Sequence, residues 1–227
     1  MAKLSQKILG NVSGTLGDIT FRQRNGKNYL ATRPRSFKAP QDQASIERRS
    51  KFALAVKLAS IINSIQLLKD LWALKIPAGS TVYNYLVKTN YNQINPDSLT
   101  ASTYLTPPLG FGVTTSTLTI ARENIDIVFE ALGTRTGIDA GEEINIQLFG
   151  ILCLSNPTDI NLEKTFLLPF LSEPQASALD TELTFSLPLS SQESQLFDKY
   201  DDKKIIFSLV TLDGENNPVH YSATIFG

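Results

Sequence analysis

Few side chains in this sequence are equipped for covalent or metal chemistry. His220 is the only imidazole and Cys153 the only thiol. A Ser-His-Asp triad would have to use His220, and no Gly-x-Ser-x-Gly elbow is present to supply its nucleophile. A Cys-His pair would have to use Cys153. That residue stands in the apolar run Ile151-Leu152-Cys153-Leu154 and reads as a small, inert core residue. A single cysteine also excludes an internal disulfide and a multi-cysteine zinc site. His220 falls beside Tyr221 on an expected C-terminal strand, where a lone histidine is a surface or packing residue. Carboxylates are more plentiful: Glu142-Glu143 follow Gly141 in an expected turn, and Asp198, Asp201 and Asp202 flank Tyr200. Paired acids can hydrolyse glycosides or bind Ca²⁺, but Asp201-Asp202-Lys203-Lys204 reads as a solvated loop. No Gly-rich phosphate loop with its lysine appears, and no helix directly follows Gly10, Gly14 and Gly17. The chain is therefore read as non-catalytic, with no catalytic residue, no metal site and no cofactor.

What remains is charge. Residues 1–100 hold 15 Lys and Arg against 5 Asp and Glu, whereas residues 101–227 hold 6 against 17. The formal net charge of −1 hides a basic front half and an acidic back half. A split of this kind argues for two units with different partners. The basic half would meet a polyanion, another protein's acidic face, or the acidic half of a second copy.

The elements that would position these charges follow from periodicity. Residues 12–33 read as a β-hairpin around Asn25-Gly26, the dipeptide that best tolerates a tight two-residue turn. A two-residue loop pairs Arg24 with Lys27, Gln23 with Asn28, Arg22 with Tyr29 and Phe21 with Leu30. Alternation then puts Ile19, Phe21 and Leu30 on one face, and Arg22, Arg24, Lys27, Tyr29 and Arg33 on the other. An extended connector runs from Arg33-Pro34-Arg35 to Pro40. A long helix follows, with Asp42 or Ser45 as its cap. Its apolar seam is Leu54, Leu58, Ile61, Ile65, Leu68 and Trp72, spaced 4, 3, 4, 3 and 4 apart. Arg48 and Arg49 near its start could extend the basic surface. Pro77 ends this helix, and Ser80 caps a shorter one that stops near Asn90. Residues 92–112, rich in Asn, Pro, Ser, Thr and Gly, read as a linker. Seven strands are then expected at 113–120, 125–131, 144–154, 161–170, 181–187, 204–212 and 219–226. That number and spacing suggest an immunoglobulin-like antiparallel sandwich.

The first 90 residues also carry a pattern of motifs. Gly17-Asp18-Ile19-Thr20-Phe21-Arg22-Gln23-Arg24-Asn25-Gly26-Lys27 is followed by Arg33-Pro34. Gln43 comes next, with Arg48-Arg49-Ser50-Lys51-Phe52 after it, then Leu71-Trp72, then Tyr83-Asn84-Tyr85-Leu86-Val87-Lys88-Thr89-Asn90. This progression resembles a family of uncharacterised proteins from bacterial and phage genomes. The resemblance implies no catalytic residue and favours a phage-like or structural role over metabolism.

The expected fold class is α+β: an N-terminal β-hairpin and helical unit (residues 1–95), then an acidic immunoglobulin-like sandwich (residues 110–227). The expected function is a non-catalytic structural or assembly protein that docks its basic surface on an acidic partner or a second copy. The alternative is a nucleic-acid-binding module. Its contact set would be Arg22, Arg24, Lys27, Tyr29 and Arg33, with Arg48 and Arg49 extending it. No run of 18 apolar residues and no apolar leader within residues 1–12 is seen. The expected setting is therefore cytoplasmic or virion-associated.

Overall fold

A computed structural model describes residues 2–3, 13–24, 26–33, 38–133 and 136–227. Its packing divides the chain into two units, Met1–Gln43 and Ala44–Gly227.

In the first unit, β1 (Ala2–Lys3), β2 (Gly14–Leu16), β3 (Ile19–Arg24) and β4 (Lys27–Thr32) form an antiparallel sheet in the order β1-β4-β3-β2. The β3–β4 register pairs Arg24 with Lys27, Gln23 with Asn28, Arg22 with Tyr29 and Phe21 with Leu30. This is the register that a two-residue loop demands. Gly26 turns the chain at φ 71° and Gly17 does so between β2 and β3 at φ 55°, in the left-handed region that favours glycine. The expected hairpin is thus the centre of a wider sheet. Asn25, Gly10, the connector at 34–37 and the leader reading beyond Ala2 and Lys3 lie outside the described residues.

The second unit is organised by two long strands. β7 (Asn145–Pro157) and β11 (Tyr200–Leu212) pair antiparallel from Tyr200↔Pro157 to Leu212↔Asn145. Residues 146–155 and 205–212 are buried without alternation, because both faces of this pair are covered. With β8 (Thr165–Leu171) and β12 (Pro218–Tyr221) they form the path β12-β11-β7-β8. The short β9 (Gln175–Ala176) pairs with β7, and β13 (Ile225–Phe226) pairs with β11.

On one face Phe149, Ile151, Cys153, Leu167, Ile206 and Val210 pack against three helices: α1 (Gln43–Ser64), α2 (Gln66–Ala73) and α3 (Val82–Tyr91). On the other, Leu148, Leu152, Ile205, Phe207 and Leu209 meet a three-stranded sheet. That sheet has the order β10-β6-β5, from β5 (Thr115–Ile120), β6 (Asn124–Phe129) and β10 (Leu183–Pro188). Phe129 stands edge-on to both Phe185 and Phe207, with ring centroids 5.9 and 5.8 Å apart, a favoured aromatic geometry.

Several expectations are corrected. The single long helix is two. Ile65 is extended at φ −89°, ψ 110°, the axis bends by 102°, and the Ser64 hydroxyl donates to the Ile61 carbonyl at 2.7 Å. That local bond competes with the helical ladder. The apolar seam survives the break, since Leu58, Ile62, Leu68 and Trp72 all reach the same core. α2 ends at Ala73, short of Pro77. Thr81, not Ser80, caps α3, its hydroxyl accepting from Asn84 N–H at 3.2 Å. Ser45 lies inside α1 and is no cap. The final strand divides into β12 and β13. Asp201 to Lys204 belong to β11, so they form no loop. An unexpected helix, α4 (Ser191–Phe197), starts from a capping box of Ser190 and Glu193.

The largest correction concerns residues 92–112, which do not separate two domains. Ile94, Leu99, Thr103, Leu105 and Thr106 are buried. Trp72 Nε1 donates to the Leu105 carbonyl at 2.9 Å. Asn90 Oδ1 accepts from Tyr104 N–H at 2.8 Å, and its Nδ2 donates to the Tyr104 carbonyl at 3.1 Å. Polar side chains of the segment do the same for other backbone groups: the Thr106 hydroxyl donates to the Ser222 carbonyl at 2.8 Å and the Thr103 hydroxyl to the Gln93 carbonyl at 3.3 Å. The division therefore falls at Gln43 rather than at 95–110, and Trp72 shares its core with β7 and β11. Among the described residues no single helix is long and apolar enough to cross a membrane.

Trp72→Ala is expected to lower the stability of the whole second unit by about 3–5 kcal/mol, measured by urea unfolding followed at both helical and sheet signals. Gly150 gives a second check. A Cβ there would stand 1.9 Å from Phe170 Cζ, so Gly150→Ala should cost about 1–3 kcal/mol by displacing that ring.

Candidate functional site

The β3–β4 register builds one chemically uniform surface. Residues facing each other across an antiparallel pair share a side of the sheet. Arg22 opposite Tyr29 and the position of Arg24 opposite Lys27 therefore fall on one face. Leu16, Ile19, Phe21 and Leu30 fall on the other through Leu16↔Ile19 and Phe21↔Leu30. Arg22 and Lys27 are exposed and Tyr29 is half-buried between them. Arg33 follows β4, exposed, and its backbone N–H donates to the Asp18 carbonyl at 2.7 Å. The sheet also brings in a position absent from the sequence reading. Lys3 of β1 lies opposite Tyr29, a non-local pairing that only the assembled sheet reveals.

Arg48 and Arg49 do not join this group within one unit. They sit on α1 in the second unit, both exposed. Arg48 Nη2 donates to Ser45 Oγ at 2.6 Å. The expected contact set is thus a compact set on the N-terminal sheet plus two helix cations belonging to a different unit.

A second constellation surrounds the lone imidazole. Glu143, expected in a turn, is only 1% exposed and is a buried carboxylate. Its Oε1 lies 3.0 Å from His220 Nδ1 and accepts from Asp139 N–H at 2.9 Å. Its Oε2 accepts from the Thr211 hydroxyl. The backbone N–H of His220 donates to Thr211 Oγ1 at 3.0 Å, and Glu143 N–H donates to the Asp139 carbonyl at 2.7 Å. The His220 side chain remains 55% exposed. A buried carboxylate that fixes one ring nitrogen orients the imidazole. Here it also ties the 139–143 turn to β11 and β12. Glu143 and His220 are 77 residues apart in sequence, and no local pattern links them.

The remaining acids are dispersed. Asp198 accepts from Arg122 Nε at 2.8 Å, Asp201 from Asn156 Nδ2 at 3.3 Å. Asp213 organises the 213–218 turn. Hydrogen bonds from the Asn217 side chain and backbone hold its carboxyl below the usual range. Among the described residues no three His, Cys, Asp or Glu side chains converge as metal ligands would. Cys153 faces the helical core, and burial pushes its thiol above the ordinary value of 9.0 despite a hydrogen bond with the Leu99 backbone and the nearby Lys204 charge.

Two outcomes follow. Cys153 should resist alkylation by iodoacetamide at neutral pH in the folded chain and react at once in denaturant. Glu143→Ala should lower stability by about 1–3 kcal/mol in chemical denaturation, because the Thr211 hydroxyl and the Asp139 N–H lose their acceptor. No family model matches this sequence, and no curated protein matches it.

Proposed function

We propose that this is a non-catalytic structural or assembly protein whose basic N-terminal sheet docks on an acidic surface, either of a partner or of another copy. One observation carries the reading: the two units carry net charge of opposite sign, although residues 44–100 of the second unit are themselves basic. Met1–Gln43 holds 8 Lys and Arg against 2 Asp and Glu, and Ala44–Gly227 holds 13 against 20. Among the described residues, Arg22 and Lys27 also share one face of the first unit's sheet by β-register, together with Tyr29. Opposite charge on the two units makes head-to-tail association physically reasonable.

The second unit supports an outward-facing or assembly role through its architecture. Its two sheets, β10-β6-β5 and β12-β11-β7-β8, support an immunoglobulin-like reading with one departure, the fourth strand lying beside β7 rather than beside β10. Its helical layer is an addition to that plan. Such a body fits the phage-like, assembly-associated setting that the N-terminal motifs suggest, by fold-level analogy. Nucleic acid is the second reading, favoured by Tyr29 lying among the cations, where it could stack on a base.

Light scattering across a salt series tests the assignment. Self-association should be present at low ionic strength and fade as salt rises, since exposed charges are screened beyond about 8 Å at physiological strength. Arg22→Glu with Lys27→Glu should abolish it. A salt-dependent gel shift with mixed-sequence DNA or RNA, lost in the same double variant, would transfer the assignment to nucleic acid.

A further inference from the structure

The six-stranded sheet is wider than the three strands that cover its second face. β12, β11, β7 and β8 lie side by side, while the cover ends at β10. A groove of about 570 Å³ opens between β8 and β10, lined by Leu168, Phe170, Phe185 and Leu187. Among the described residues, neither the outer edge of β8 nor that of β10 pairs with another strand.

An open edge is a template for a further strand unless it is guarded by proline, lysine or a bulge. β10 has no such guard over most of its length. Its sequence is Leu-Thr-Phe-Ser-Leu before the terminal Pro188, and its register against β6 is continuous from Leu183↔Phe129 to Pro188↔Asn124. The groove also holds an unmet donor: Gln175 lines it, and Gln175 Nε2 is buried with no hydrogen-bond partner. Buried donors of this kind are rare, and a backbone carbonyl entering the groove would satisfy it. The charged residues lining the groove are Glu173 and Glu193, with no Lys or Arg among them. The fitting occupant is therefore an extended strand, apolar on one face and cationic on the other, adding to a sheet edge.

The chain contains such a strand. β2 is the outer strand of the N-terminal sheet, and its far edge pairs with nothing among the described residues. Leu16 is 73% and Ile19 42% exposed on the apolar face, while the other face is basic. The geometry points to the β8–β10 groove as the docking site for the β2 edge of a second copy's N-terminal sheet. Pairing β2 with β10 continues the three-stranded sheet, and the apolar face of the incoming sheet lies over the uncovered part of β8. The contact is heterologous, so it repeats from copy to copy. This rests on the reading of the N-terminal sheet as a docking surface and names where it docks.

Thr15 of β2 and Ser186 of β10 both lie opposite the apolar side of their strands, so the pairing brings them together on one outer surface. Full-length Thr15→Cys and Ser186→Cys chains are mixed and treated with a short bismaleimide; Cys153 is buried and gives little background. A control mixture replaces Ser186→Cys with Ser116→Cys, on β5 at the opposite edge of the same sheet. The expected result is a mixed dimer in severalfold excess over the control, reduced by Arg22→Glu with Lys27→Glu. Equal yields from the two mixtures overturn the proposal. An internal link in a chain carrying both cysteines, with no mixed dimer, also overturns it. Retention of the full chain on a polyglutamate resin separates the two readings. If cross-linking fails but retention persists and is lost on charge reversal, the docking function stands and the groove assignment falls. If both fail, both fall.

Discussion

The antiparallel pairing of β7 with β11 is the constraint on which the second unit depends. Two strands of 13 residues each present apolar side chains to both sides, so neither face can be left to water. The helices and the three-stranded sheet are two answers to one requirement, the covering of a doubly apolar ribbon. Gly150 shows how closely the layers fit, since the Phe170 ring occupies the space where its side chain would be. Buried polar groups are handled in the same way. Ser208, Thr106 and Ser222 bond to one another within the interior, and Thr224 Oγ1 accepts from the backbone of Leu105.

Much of this was legible in the sequence, and what escaped has physical reasons. The hairpin register was readable because a two-residue Asn-Gly loop leaves one pairing open. The strands of the second unit could be placed because apolar runs and turn residues alternate along it. The break at Ile65 was invisible because the seam keeps its helical spacing across it. Both helices face one sheet, so the apolar periodicity carries no mark of the bend. Residues 92–112 misled for the opposite reason. Their composition is that of a solvated segment, yet the Thr103 and Thr106 hydroxyls bond the carbonyls of Gln93 and Ser222, and the backbone of Tyr104 and Leu105 bonds Asn90, Trp72 and Thr224. Composition reports how many hydrogen bonds a segment can make, not with whom.

The candidate surface divides similarly. Arg22, Lys27 and Tyr29 were found together because alternation on a hairpin is local. Arg48 and Arg49 were joined to them on charge alone, and charge carries no information about which unit a residue belongs to. The Glu143–His220 pair was missed because long-range pairings leave no periodic trace. It gives the only histidine, expected as a surface or packing residue, a structural part as a tether between a turn and two strands.

The order of the layers along the chain has a consequence for synthesis. The apolar stripe of α1 leaves the ribosome well before the ribbon it must cover: some 150 residues separate Leu58 from Leu212. At the usual pace of translation the interval is roughly 8–30 s. Throughout it Leu54, Leu58 and Ile62 have no sheet to lie on. The nascent polypeptide thus carries a greasy cylinder that must be shielded until its floor has been made. A cell producing this molecule quickly would feel that delay as a demand on its holding chaperones.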